Sequence, residues 1–130
     1  MIEYTDLIGT PFKHKGRTLE GFDCFGLVLY VLRRQGKQVD DPVPDYPKNW
    51  KDDKTHNYFL EHYHKQWERI DKPEILDVVL FGKEKDFPTH IGILVETDKV
   101  LHISEKHRTI ISRLSYIKKA VYGYYRFIGS

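Results

Sequence analysis

The sequence predicts an α+β domain in which N-terminal helices pack on a C-terminal antiparallel sheet of about five strands. In the first half, apolar residues between Cys24 and Arg34 recur at helical spacing. After Pro73 the composition changes to short β-branched and aromatic runs separated by polar residues, Gly or Pro, as is typical of antiparallel strands. Helices followed by strands favour layers that are segregated within one domain.

The main predicted helix begins at Cys24. Asp23 before it is a natural N-cap, and Gly36 after it is a natural stop. Arg33 and Arg34 suit the negative end of the helix dipole. One face of the helix carries apolar residues that can enter a core: Leu27, Val28, Val31 and Leu32.

The remaining elements follow from local pattern. EYTDLIG predicts a short helix ended by Gly9, and the polar run KHKGRTLEG predicts a loop that leads to Asp23. The proline-rich DDPVPDYPKNW predicts an extended surface loop. A weaker helical pattern runs from about Lys54 to Trp67. The predicted strands are ILDVVLF, HIGILVE, KVLHIS, RTIIS and YGYYRFI, with a short helix in LSYIKKAV before the last.

Size, charge and cysteine content restrict the class of protein. With 130 residues, we expect a single domain over residues 1–130. The net charge of +2, from 21 basic and 19 acidic residues, favours no nucleic-acid partner. No stretch approaches the roughly 20 apolar residues that span a bilayer, so we expect no membrane insertion. The start of the chain lacks the pattern of a secretory signal, so we expect cytoplasmic synthesis and export by another route.

Cys24 is the single cysteine, and its position allows two interpretations. Free cysteines are among the most buried residue types and are usually inert. A thiol in the first turn of a helix, however, lies at the positive end of the macrodipole, which favours the nucleophilic thiolate. A nucleophilic interpretation requires an imidazole as base and a third group that orients the imidazole.

Two histidines meet this requirement through a predicted hairpin. His90 opens one strand and His102 lies in the next, with a turn at Thr97–Asp98 between them. Antiparallel pairing about that turn places the two histidines close together. Together with Cys24 they form a candidate Cys–His–His site, although each strand histidine taken alone is more often structural.

A zinc site is the alternative for the same three side chains, since thiolate and imidazole both bind zinc. Three ligands without a carboxylate partner make an incomplete site, and the sequence has no second cysteine and no HExxH motif. A phosphate-binding Gly-rich loop is also absent from the sequence. We therefore expect neither a metal nor another cofactor.

The chain resembles the NlpC/p60 family of papain-like cysteine peptidases from bacterial cell walls. The resemblance lies in GTPFKHKGRTLEGFDCFGLV, LDVVLF, HIGILV and VLHIS and extends from Gly9 to YYRFI. PFKHKGR and DYPKNW are most similar to members encoded by phages and prophages. The resemblance implies a papain-like NlpC core with Cys24 as nucleophile, His90 as general base and His102 as the residue that orients His90.

The resemblance also implies a substrate pocket, and at two positions of this pocket the sequence differs from the family pattern. Phe12 stands where a tyrosine is usual, and Phe25 where a serine is usual. Asp23 matches the family residue before the nucleophile. His14 and Arg17 are candidates for replacing the lost polar contacts, although Arg17 could equally be a solvated loop charge.

The function implied by the resemblance is hydrolysis of peptidoglycan stem peptides by a cysteine endopeptidase, at the bond between γ-D-glutamyl and the diamino acid. Stem peptides and phage tail proteins are the expected partners, and the bacterial cell wall is the expected place of action. Two alternatives stay open. The same site could serve an amidase or acyltransferase, or the domain could be a non-catalytic structural part of a phage tail.

Overall fold

In the part of the chain that the structure describes, six antiparallel strands form the main sheet and one long helix packs on it. The computed structural model describes residues 2–41, 66–84 and 87–129. The helices are α1 (Cys24–Arg34) and α2 (Leu114–Ile117), with 3-10 helices at Thr5–Leu7 and Lys118–Ala120. The strands are β1 (Arg17–Thr18), β2 (Gly21–Phe22), β3 (Trp67–Ile70), β4 (Val78–Phe81), β5 (His90–Glu96), β6 (Lys99–His102), β7 (Ile110–Arg113) and β8 (Val121–Phe127).

The order of strands in the main sheet is β3-β8-β4-β5-β6-β7, while β1 and β2 form a separate two-stranded ribbon. From β4 to β7 the strands follow one another as a meander. The exception is β8, which enters between β3 and β4 and pairs antiparallel with both. The last strand in the chain therefore lies inside the sheet.

Both faces of the sheet are covered, because side chains alternate between faces along each strand. One face packs against α1 and contributes Val78, Leu80, Ile91, Ile93, Leu101 and Ile103 to the main core. The opposite face buries Val79, Phe81, Leu94 and Val100 beneath α2 and the residues that follow it. This explains why all four residues of β4 are buried. Within the described residues, no helix is long and apolar enough to cross a membrane.

The structure confirms α1, its Asp23 N-cap and the short helix in LSYIKKAV, which contains α2. Gly36 follows α1 with a φ of +84°, a conformation that glycine adopts without steric cost. The early 3-10 helix at Thr5–Leu7 lies within EYTDLIG as predicted.

The predicted fold is wrong in two respects. Among the described residues the main sheet has six strands and not about five. The helices are not all N-terminal, because α2 follows β7 and covers the face of the sheet opposite to α1. The missed strand is β3, whose first residue, Trp67, was predicted to end a helix; residues 54–65 of that helix lie outside the described part of the chain. Among the described strands, β3 pairs with β8 alone, and its Glu68 and Arg69 are exposed. Trp67 packs edge-to-face on Phe127, with ring centroids 5.5 Å apart. Such a long-range contact leaves no periodic signal in four residues.

The loop predicted in KHKGRTLEG is also incomplete, because it contains β1 and the first residue of β2. These strands are two residues long, below the length at which alternation is visible in a sequence. Most of the proline-rich segment predicted to be an extended loop, residues 42–50, lies outside the described part of the chain.

Replacement of Leu27 by alanine tests the packing of α1 on the sheet. Leu27 is 0% exposed, so Leu27→Ala is expected to lower the free energy of unfolding by about 2–5 kcal/mol. Leu19 is 49% exposed, and Leu19→Ala is the matched control, with an expected change within about 0.5 kcal/mol. Denaturant titrations of both variants measure the difference, and equal losses would contradict the assigned core.

Candidate active site

Cys24 is the first residue of α1, and Asp23 fixes the start of that helix. The Asp23 backbone is extended, and its Oδ1 accepts a hydrogen bond from the Gly26 N–H at 2.6 Å. Cys24 is 8% exposed, which places its thiol in the wall of the core. Because it lies in the first turn, a thiolate there is stabilised by the positive end of the helix dipole.

Arg17 holds the N-cap residue from the β1 side. Its Nη1 donates to Asp23 Oδ1 at 2.8 Å, and its Nε donates to Asp41 Oδ2, also at 2.8 Å. Its guanidinium carbon lies 5.7 Å from the centroid of the Phe25 ring. Arg17 is therefore not the solvated loop charge that the sequence left open.

Two opposing effects act on the pKa of Arg17. Burial lowers the pKa of Arg17, but hydrogen bonds and ion pairs with Asp41 and Asp23 outweigh burial and raise this pKa above its ordinary value. The guanidinium therefore remains charged, and the three side chains together carry one negative charge beside the start of α1.

A glycine allows this arrangement to form. A Cβ on Gly26 would lie 2.0 Å from the Gly16 carbonyl oxygen and 2.9 Å from Asp23 Oδ1. Any side chain at this position would push the segment before β1 away from the helix. Gly26 thus lets Arg17 and Asp23 meet at the end of α1 that carries Cys24.

His90 and His102 lie on the neighbouring strands β5 and β6, and their rings are in contact. His90 Nε2 and His102 Nδ1 are 3.0 Å apart, with ring planes at 83°. His102 pairs directly with Gly92 across the ladder, so the two histidines are diagonal neighbours on one face of the sheet. A Cβ on Gly92 would lie 3.2 Å from the Cβ of His102, so glycine gives His102 room at this position.

Two further side chains, neither among the site residues predicted from the sequence, contact the histidine pair. Phe81 of β4 packs edge-to-face on both rings, at centroid distances of 4.5 Å to His90 and 5.6 Å to His102. Ser112 of β7 places its Oγ 2.7 Å from His102 Nε2. The sequence could have indicated Phe81, because this residue ends the run LDVVLF that belongs to the family resemblance. It could not have indicated Ser112, because the approach of Ser112 to His102 depends on the pairing of β7 with β6.

His102 is held in its neutral form. Burial, with a smaller contribution from the charge of His107, lowers the pKa of His102 to about 4. At neutral pH its ring therefore carries one N–H and one lone pair. One ring nitrogen donates a hydrogen bond and the other accepts one.

The predicted site residues form two groups. Asp23, Arg17 and Phe25 surround Cys24 at the start of α1, while His90 and His102 lie on β5 and β6, the strands of the sheet against which α1 packs. Phe12, half-buried, forms a bridge with Phe22. The half-buried His14 lies in the turn between Phe12 and β1. The two rings share the sheet face of Phe81, while α1 packs on the other face of the same strands. Nucleophilic acyl chemistry requires the Cys24 thiol and the His90 imidazole to meet where α1 and β5 begin.

Metal binding was the alternative use of the same residue types. Across residues 2–41, 66–84 and 87–129, no three His, Cys, Asp or Glu side chains are grouped so that they could hold a metal ion.

Comparison with known proteins identifies the family. The model of the NlpC/P60 family matches residues 9–126. The chain belongs to the NlpC/P60 family. Two crystal structures share the NlpC/P60 fold with it. The NlpC/p60 domain of the peptidoglycan hydrolase SagA has a TM-score of 0.56 at 16% identity, over 92% of this chain and 87% of that one. An NLP/P60 family protein from Staphylococcus aureus has a TM-score of 0.65 at 18% identity, over 95% and 38%.

Two relatives of this NlpC/P60 chain are similar in sequence. The probable peptidoglycan endopeptidase LytE of Bacillus subtilis is 31% identical over 122 residues, which is 93% of this chain and 31% of LytE. The tail tip assembly protein K of Escherichia phage N15 is 30% identical over 95 residues, which is 71% of this chain and 39% of that protein. The chain thus spans about a third of the length of these relatives.

Substitution of Asp23 separates its capping role from its ion pair. Asp23→Ser keeps an oxygen that caps α1 but loses the charge, whereas Asp23→Ala loses both. The alanine variant is expected to have a free energy of unfolding about 1 kcal/mol below that of the serine variant, and both are expected below wild type. The carboxylate of Asp6, 54% exposed in its pair with Arg34, provides the control, and Asp6→Ala is expected to cost less than about 1 kcal/mol. Equal stability of the serine and alanine variants in denaturant would refute the cap.

Acid titration of stability tests the burial of His102. The pKa of His102 is about 4 in the folded protein, below its ordinary value of 6.5, so between these values the unfolded chain binds a proton that the folded chain does not. Titration of His102 therefore leaves the free energy of unfolding unchanged above pH 6.5 and lowers it toward pH 4, by as much as about 3 kcal/mol. In His102→Gln this part of the slope is expected to be absent. Denaturant titrations of both proteins across this range provide the comparison, and parallel curves would count against a buried neutral His102.

Proposed function

We propose that the protein is a cysteine peptidase that hydrolyses peptidoglycan stem peptides, with Cys24, His90 and His102 as its catalytic group. The observation that carries the proposal is the 3.0 Å contact between His90 Nε2 and His102 Nδ1. It fixes the His90 ring on a strand against which the helix of Cys24 packs. The similarity to LytE, which is named a peptidoglycan endopeptidase, supports the substrate class.

The first half of the reaction forms an acyl-enzyme. His90 uses Nε2 toward His102, so Nδ1 is the ring nitrogen that takes the proton of the Cys24 thiol. The thiolate attacks the carbonyl carbon of the scissile amide and forms the C–S bond. The resulting oxyanion receives a hydrogen bond from the backbone N–H of Cys24, since first-turn amides face the N-terminal end of their helix. Collapse breaks the C–N bond, and His90 returns its proton to the leaving amine.

The second half releases the acyl group. Water enters, loses a proton to His90 Nδ1 and attacks the thioester carbonyl. Collapse breaks the C–S bond, frees the carboxylic acid and returns the proton to the Cys24 sulfur. Throughout this cycle, His102 keeps the His90 ring oriented. Phe81 limits the movement of the His90 ring by packing edge-to-face on it.

The scissile bond in this proposal joins γ-D-glutamyl to the diamino acid, as the family resemblance implies. Asp23, Arg17 and Asp41 carry a net negative charge at the start of α1, which complements a cationic amine on the substrate. Phe25 is 7% exposed beneath Arg17 and so forms an apolar wall there. We assign the other side of the pocket to Phe12 and His14, which precede β1.

The second relative supports a proposed place of action. Similarity to a phage tail tip assembly protein supports delivery of this domain to the bacterial wall as part of a phage particle, with tail proteins as partners. A net charge of +2 gives no strong attraction to nucleic acid, so the wall peptide is the proposed substrate.

Cys24→Ala tests the proposal directly. Purified sacculi treated with the wild-type protein are expected to release new peptide termini detectable by mass spectrometry, and Cys24→Ala is expected to release none, since no nucleophile remains. His90→Ala is expected to reduce release by at least about 100-fold, the lower range for general-base catalysis. Tyr116→Ala, a change at a side chain 82% exposed on α2, serves as the control and should match wild type.

The products distinguish the other functions of the same site. Ammonia or transfer to an added amine, without new peptide termini, would indicate an amidase or acyltransferase. Absence of any Cys24-dependent product, together with a Cys24 thiol that alkylates no faster than a free thiol, would indicate a structural tail component. Either result would overturn the proposed peptidase.

A further inference from the structure

Ser112 extends the histidine pair to a chain of three side chains on three neighbouring strands. From β5 to β7 the order is His90, His102 and Ser112, with polar contacts of 3.0 Å and 2.7 Å. In the β6–β7 ladder, Ser112 is paired with Val100 and His102 with Ile110. The serine therefore reaches His102 diagonally, on the same face of the sheet.

We propose that Ser112 is a positioning residue that accepts the Nε2–H of His102, and thereby fixes the tautomer in which His102 Nδ1 accepts from His90. This inference rests on the proposed peptidase function and identifies the group that controls its orienting histidine. Ser112 does not contact the substrate in this proposal. It acts on the reaction through two imidazole rings.

The direction of the hydrogen bonds follows from what His90 must do. For His90 Nδ1 to take a proton from a thiol, that nitrogen must carry a lone pair, so the ring proton must be on Nε2. His90 Nε2–H then donates to His102 Nδ1, and this nitrogen must be unprotonated. His102 consequently carries its proton on Nε2, from which it donates to Ser112 Oγ.

The opposite direction is incompatible with a general base. If the serine hydroxyl donated to His102 Nε2, then His102 Nδ1–H would donate to His90 Nε2 and leave the His90 proton on Nδ1. That nitrogen could not accept the thiol proton. A doubly protonated His102 is equally unsuitable, because two N–H groups would then face each other across 3.0 Å. The lowered pKa of His102, about 4, excludes this state at neutral pH.

The partial burial of His102 makes the hydroxyl of Ser112 important as a hydrogen-bond acceptor. His102 is half-buried, with Phe81 packed 5.6 Å from its centroid on the β4 side and Ser112 2.7 Å from its Nε2 on the β7 side. A buried N–H without an acceptor is costly, so removal of the hydroxyl favours rotation of the ring or a shift of its proton to Nδ1. Either change weakens the hold on His90.

Threonine and valine at position 112 provide nearly isosteric variants that differ in one hydroxyl. Ser112→Thr is expected to keep kcat within about twofold of wild type, while Ser112→Val is expected to lower kcat about tenfold, the loss that one hydrogen bond of ordinary strength confers. KM is expected to change little, because substrate contacts are unaltered. Ser115→Val makes the same chemical change at an exposed serine whose hydroxyl donates to Asp98, and it should leave kcat unchanged.

The tautomer itself is measured without substrate. In protein with ¹⁵N-labelled histidine, long-range ¹H–¹⁵N correlation spectra should show His102 protonated on Nε2 in wild type and in Ser112→Thr. In Ser112→Val the resonances are expected to move toward the Nδ1–H form or toward averaging. A Nδ1–H tautomer in the wild-type protein would overturn the inference, as would indistinguishable spectra and kcat values for the threonine and valine variants.

These readouts separate this inference from the function on which it rests. If wild-type protein releases no peptide from sacculi, the peptidase proposal fails whatever the tautomer. If it releases peptide in a Cys24-dependent way while Ser112→Thr and Ser112→Val have the same kcat and the same spectra, the peptidase proposal stands and the role of Ser112 is refuted.

Discussion

The packing of α1 against β5 and β6 is the interaction on which the site depends. Cys24 is the first residue of the helix and His90 the first residue of β5, so the apolar contact between these elements fixes where the two backbones begin relative to each other. The contact is made of fully buried side chains, including Leu27 and Val28 on the helix and Ile91 and Ile93 on the strand. Close packing of this kind resists small displacements, and catalytic geometry depends strongly on such displacements.

Buried carboxylates fix the ends of elements in two places, by the same physical means. Asp23, 2% exposed, caps α1 and binds Arg17. Asp77, also 2% exposed, lies directly before β4 and accepts two hydrogen bonds from Arg126 of β8. An ion pair that is removed from water returns its desolvation cost only when its geometry is good. In both pairs the carboxylate is buried while the arginine stays partly exposed, so loss of either arginine would leave a buried carboxylate without its counter-ion.

Sequence reasoning succeeded where the relevant information is local. Asp23 and Cys24 are adjacent at a helix start, and the proximity of His90 to His102 follows from a single hairpin turn. Prediction from the sequence failed where contacting residues are distant along the chain. The strand β3 owes its conformation to β8, more than 50 residues later, and the contacts of Arg17 with Asp41 and of Ser112 with His102 arise only once strands and loops have assembled. Local periodicity carries no record of such pairings.

The position of β8 between β3 and β4 has a consequence for biosynthesis. A ribosome releases the chain from its N-terminus, so β3 and β4 emerge well before the strand that joins them. Of the strands that the structure describes, only β8 pairs with β3, so until residues 121–127 are available β3 lacks that partner and β4 presents one open edge. Because long-range strand pairing of this kind comes late and is slow, the domain completes its fold after translation of β8. A nascent chain that stalls before that point exposes apolar strand edges prone to aggregation, rather than a smaller working domain.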